Sequence, residues 1–228
     1  MDVYGQLGET VSQSTTIQVL DRWPLVLRPG TGGHYQYLDT ASKRNAACFL
    51  NLVEDLPSGL TVVEHFGGVG MFSTIIEQVL RPRWHIIGDI DDDCAKQLAA
   101  TFEAEPHVSV TCVDAKETMG LVPAQLVVLD FAYATIKHHG DWPWAHVVEA
   151  KPRYIVFADT ALRRLGLHRE LYSRLFGCPI VTHEDYVNAY SRYLWAHYGY
   201  SVTREAHHVY SYMRLEPTPP GIVQFTKV

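Results

Sequence analysis

The stretch Thr61-Val62-Val63-Glu64-His65-Phe66-Gly67-Gly68-Val69-Gly70-Met71-Phe72-Ser73 restricts the fold more than any other part of this chain. An apolar run that breaks into clustered glycines and resumes at helical period reads as a strand, a tight turn and a helix whose first N–H groups face a ligand. A second apolar run, His85-Ile86-Ile87-Gly88-Asp89-Ile90-Asp91, follows and ends in acids. In a doubly wound sheet an acid about 20 residues after the glycines meets the two hydroxyls of a ribose. Together the two runs outline a nucleotide-type pocket.

Several readings compete for the glycines. A mononucleotide phosphate cradle needs a lysine and a hydroxyl directly after its last glycine, and Met71-Phe72 stands there instead. A dinucleotide fingerprint wants a third glycine at the place of Ser73, so that match is partial. A turn that only lets a helix pack on a sheet leaves the surrounding acids as coincidences. The remaining pattern is acidic-x-Phe-x-Gly-x-Gly-x-Phe. Glu64-His65-Phe66-Gly67-Gly68-Val69-Gly70-Met71-Phe72 resembles the first motif of class I S-adenosylmethionine-dependent methyltransferases, in the variant of enzymes that methylate nucleic-acid bases. Phe66 stands where many relatives carry glycine.

The rest of the chain supplies alternating elements. Ala46, Ala47, Phe49, Leu50 and Val53 recur at three and four and predict a helix over 42–54, stopped by Pro57-Ser58-Gly59. Further helices are expected over 71–80, from the Asp91-Asp92-Asp93 cap to Phe102, over 142–149, over 162–165 with 167–176 as one basic amphipathic helix, and over 183–198. Strands are expected over 61–65, 84–90, 107–112, 125–129 and 154–158, with a hairpin over 200–207 and 209–215. A short edge strand over 23–28 and a final strand over 222–226 are weaker readings. The predicted class is therefore α/β: a doubly wound, mostly parallel sheet with an antiparallel C-terminal hairpin. Residues 1–41 read as an arm, 42–216 as the methyltransferase-like domain and 217–228 as a tail.

The resemblance implies S-adenosylmethionine as cofactor, with Glu64, Phe66, Gly68 and Gly70 around its amino-acid portion, Asp89 on the ribose ahead of Asp91, and Asp114 at the adenine. The end of the fourth strand, Asp130-Phe131-Ala132-Tyr133, keeps an acid and an aromatic but lacks the proline pair of relatives that methylate exocyclic amines. Asp130 and Tyr133 are the catalytic candidates. No cysteine follows that strand, which argues against covalent pyrimidine methylation. The same missing prolines motivate the alternative of a catalytically inactive relative serving as an assembly or binding subunit. A nicotinamide-dependent oxidoreductase is the third reading.

Composition bounds the partners. With 228 residues and 47% hydrophobic content the chain can bury a substantial core. Residues 1–150 hold 9 lysines and arginines against 19 acids, net −10, and residues 151–228 hold 10 against 6, net +4. A nucleic acid would therefore meet the C-terminal third. Cys48, Cys94, Cys112 and Cys178 are far apart, and no histidine cluster has ligand spacing, so neither disulfides nor a metal are expected. No long apolar run or signal-like start is read, so the expectation is a cytoplasmic protein without a membrane segment. A homo-oligomer or an assembly partner stays open.

Overall fold

The computed structural model describes residues 40–68, 70–118, 120, 122–129, 142–161, 165–207 and 210–219. The first helix, α1 (Thr40–Val53), places Ala46, Phe49, Leu50 and Val53 inward, as their spacing requires. Strand β1 (Thr61–His65) runs through the glycine turn into α2 (Met71–Leu80), which ends before Pro82. Strand β2 (Trp84–Asp89), α3 (Asp92–Thr101), β3 (Val108–Cys112) and the single turn α4 (Ala115–Thr118) follow. The second half holds β4 (Leu126–Leu129), α5 (Trp142–Glu149), β5 (Tyr154–Ala161), α6 (Leu165–Phe176), α7 (His183–Tyr198), β6 (Tyr200–His207) and β7 (Tyr210–Pro217).

The strands form one sheet in the order β3-β2-β1-β4-β5-β7-β6. The first five are parallel, and β7 runs antiparallel to both neighbours. Side chains alternate across the sheet. Val62, Leu126 and Val128 face α1 and α2, whereas Val63, Val127 and Leu129 face α5, α6 and α7. All four residues of β4 are buried, as the continuous apolar run of a central parallel strand demands. The chain winds outward from β1 to β3 and returns to β4 on the other side of β1. The ends of β1 and β4 thus flank the switch point where such sheets bind ligands.

Two departures from the sequence reading have physical reasons. Strand β5 continues past Ala158 to Ala161, because the hairpin strand β7 pairs with it as far as Ala161. Asp159 is therefore a buried strand residue and not a loop acid. The basic residues of the hairpin are also not a free polyanion surface. Arg214 donates to the Leu52 carbonyl at 3.0 Å and to Asp55 at 2.6 Å, and Arg204 donates to the Asn51 carbonyl at 2.8 Å. These arginines satisfy the last carbonyls of α1, which have no partner within the helix. Tyr186 and Tyr190 of α7 are fully buried in the core between α7 and the sheet. Among the described residues no helix is long and apolar enough to cross a membrane, and no group of metal-ligating side chains occurs. The expected strands over 23–28 and 222–226 lie outside the described residues.

Candidate functional site

The glycine turn is built by backbone conformation and by close approach. Phe66 (φ +64°), Gly68 (φ +55°) and Gly70 (φ +86°) lie in the left-handed region, which glycine enters freely and phenylalanine does not. Gly67 is required for a different reason. A Cβ there would stand 2.5 Å from Ile87 Cγ2 and 3.3 Å from Leu98 Cδ1. Its N–H donates to the Gly88 carbonyl at 3.1 Å, which presses the turn against β2. The Gly70 carbonyl then accepts from Thr74 N–H at 3.0 Å and opens α2.

Asp89 is joined to this turn. Its Oδ2 accepts the Gly68 N–H at 2.7 Å, and its Oδ1 accepts the Asp91 N–H at 2.9 Å. A carboxylate offers about four lone-pair directions, so two remain for hydroxyl donors of a ligand. Asp91 is committed elsewhere: it caps α3 through the Cys94 N–H at 2.9 Å. Between the two acids Ile90 is 67% exposed, an apolar side chain left in water beside the turn. The Asp89 carbonyl accepts from Val113 N–H at 3.0 Å, which brings the end of β3 and half-buried Asp114 to the same side. Asp114 begins α4, where its carbonyl accepts the Glu117 N–H.

Glu64 lies behind the turn. Its side chain is fully buried on the α2 side, with Oε2 accepting from Ser73 Oγ at 2.7 Å and from His85 Nε2 at 3.2 Å. Ser73, at the place of the missing third glycine, is thus a buried donor. His65 points to the opposite face of β1, where burial lowers its imidazole to about 4 and keeps it neutral. Asp159 is fully buried and accepts from the hydroxyls of Tyr172 at 2.6 Å and Tyr186 at 2.5 Å. Burial, and then the adjacent Asp159, raise the Tyr186 phenol far above its usual range, so it stays protonated as a donor in the core. Asp130 and Tyr133 lie outside the described residues.

The structure therefore brings Gly68, Gly70, Asp89 and Asp114 to one rim, keeps Phe66 in a left-handed bend at its edge, and sets Glu64 beneath. Sequence reasoning missed Gly67, Ser73, Ile90 and His85. A signal existed for His85: period-two alternation puts it on the same face of β2 as buried Ile87.

No protein-family model matches the chain, and no curated protein matches it in sequence. Solved structures do share its fold. A candidate RNA methyltransferase of Pyrococcus horikoshii superposes with a TM-score of 0.63 at 13% identity, over 93% of this chain and 100% of that one. The N-methyltransferase NodS of Bradyrhizobium japonicum gives 0.56 at 10% identity, over 78% and 96%. Magnesium protoporphyrin IX methyltransferase of Synechocystis, with bound SAH, gives 0.51 at 12% identity, over 78% and 83%.

Proposed function

Because this chain has the class I S-adenosylmethionine-dependent methyltransferase fold, we propose that it binds S-adenosylmethionine at the rim formed by Gly68, Gly70 and Asp89 and transfers its methyl group. The observation that carries this reading is the 2.7 Å bond between Gly68 N–H and Asp89 Oδ2. It fixes a carboxylate with spare acceptor capacity beside the N-terminus of α2, at the carboxyl end of β2 and one strand from the switch point of the sheet. The fit extends to both parts of an adenosyl group. In this reading Asp89 accepts ribose hydroxyls, exposed Ile90 gives a purine ring an apolar surface, and Asp114 meets the exocyclic amine.

When bound, the cofactor supplies an electrophilic methyl on a sulfonium. The protein's part is to hold an acceptor in line behind that methyl and to receive the acceptor's proton where it has one. Asp130 and Tyr133 follow β4 in sequence and are proposed for that work. A nucleic-acid base, RNA first, is the proposed acceptor. Its support is the base-methylating variant of the first motif and the structural likeness to the P. horikoshii protein.

Isothermal titration with S-adenosylmethionine and S-adenosylhomocysteine tests the cofactor, followed by labelled-methyl transfer to RNA, DNA and protein mixtures. Micromolar binding is expected, and Asp89→Asn lowers affinity about 10- to 100-fold, the worth of a charge-assisted bond of about 1.5–3 kcal/mol. Absence of binding at high micromolar ligand overturns the reading in favour of a non-catalytic subunit.

A further inference from the structure

His85 on β2 meets a carboxylate at each ring nitrogen. Nδ1 lies 2.7 Å from Glu77 Oε1 on α2, and Nε2 lies 3.2 Å from Glu64 Oε2 on β1. The His85 and Glu64 side chains are both fully buried. An imidazole donates from both nitrogens only as the imidazolium, so with both glutamates as carboxylates the two contacts are satisfied together when His85 carries its second proton. Glu64 supplies an independent observation. Its Oε1 is buried and has no hydrogen-bond partner among the described residues, so this anion is compensated through Oε2, by Ser73 and His85. A buried carboxylate without such compensation is very costly. The row continues outward, because Glu77 Oε2 accepts from His107 Nε2 at 2.8 Å. His107 borders an open depression of about 300 Å³ shared with Glu77, Arg81 and Glu105.

We propose that Ser73, Glu64, His85, Glu77 and His107 form a proton-carrying brace that holds the first turn of α2, and with it Gly68 and Gly70, in the ligand-binding pose. His85 and Glu77 are then positioning residues for the adenosyl site, an assignment that rests on the cofactor reading above. Loss of the His85 proton turns a ring lone pair toward one of the two carboxylates; in the Nδ1–H tautomer, which keeps the shorter 2.7 Å contact to Glu77, Glu64 is left with the Ser73 hydroxyl alone. The first turn of α2, which carries Ser73, then moves.

The charged groups facing His85 are Glu64 from β1, Glu77 from α2 and, beyond Glu77, Arg81, Glu105 and His107. Burial by itself depresses the imidazole, but the two carboxylates outweigh it and raise His85 above its usual value. With both glutamates ionised, the brace is therefore fully formed below the ordinary imidazole value of about 6.5 and loosens as pH rises through the raised one. His65 titrates at about 4, outside this window.

The test is a titration of the isotopically labelled full chain by NMR from about pH 5.5 to 9.5, with S-adenosylhomocysteine affinity measured alongside. His85 is expected to titrate above the free-imidazole value of about 6.5, with the Gly68, Gly70 and Ser73 amides following the same midpoint. Affinity falls about tenfold across that transition. In Glu77→Gln, whose site borders solvent, the ring, the amides and the affinity drop all move to lower pH together. His107→Asn, at the outer end, moves them less. The ligand's own amino group titrates alike against every variant and cancels in the comparison. Flat Gly68 and Gly70 amides beside a titrating His85 overturn the brace whatever the chain binds. Absence of binding at every pH, with the amides still following His85, overturns the cofactor reading instead.

Discussion

Gly67 shows how a single missing side chain shapes the site. Its neighbours Gly68 and Gly70 are needed for their left-handed backbone, but Gly67 is needed because Ile87 and Leu98 occupy the space of a Cβ. Gly67→Ala is expected to cost about 1–3 kcal/mol in urea unfolding, the range of overpacked core positions. It also lifts the turn from β2 and lowers S-adenosylhomocysteine affinity, whereas an alanine at Gly177 meets no neighbour within 4 Å and carries only the backbone cost of φ +65°. The need for glycine at 68 and 70 was legible from motif spacing. The need at 67 was not, because it depends on a strand 20 positions away. The same limit applies to Glu64, whose acid was legible while its direction was not: the period of a strand gives the face, and only the packed helix shows that Ser73 and His85 wait there.

Among the elements, α2 ties the glycine turn to the core. Phe72, its second residue, stacks on Phe49 of α1 with ring centroids 4.1 Å apart and meets Tyr212 of β7 edge-on at 6.0 Å. Phe72→Ala is expected to destabilise by about 3–5 kcal/mol in denaturant unfolding, the cost of emptying a fully buried aromatic site. Loss of the glycine-turn geometry accompanies it, because Phe72 anchors the helix that the turn opens. The elements were largely legible, since apolar residues at helical and alternating periods fix both type and face. Boundaries shifted where pairing partners decided them, as at β5, whose extension follows from β7 and not from its own residues.

At the scale of the whole molecule, the two ends of the described chain are tied by Arg214. It is nearly buried, bridges Leu52, Asp55 and Glu216, and stands beside Arg204. Arg214→Met leaves the Leu52 carbonyl without its donor and is expected to cost about 1–3 kcal/mol in thermal or urea unfolding. Burial pushes the Asp55 carboxyl up, but Arg214 and Arg204 outweigh it and hold it below the usual carboxylate range. Its stabilisation is thus present above about pH 4 and lost as pH falls through the lowered value. The variant is expected to show a shallower loss of stability over that acid window than the parent chain. This long-range clasp was illegible in the sequence. The excess of cations in the C-terminal third was visible, but their employment on α1, more than 150 positions earlier, is a property of the assembled sheet.

The strand order also governs when the molecule can be finished. Strand β7 lies inside the sheet, between β5 and β6, although it is the last of the described strands to be made. A nascent chain that has emerged only as far as Ala206 exposes the open edge of Ile155, Val156 and Phe157, and nothing already synthesised can cover it in the native order. Each copy therefore passes through a sticky interval during birth, and it ends only when Tyr210–Pro217 slides into the gap.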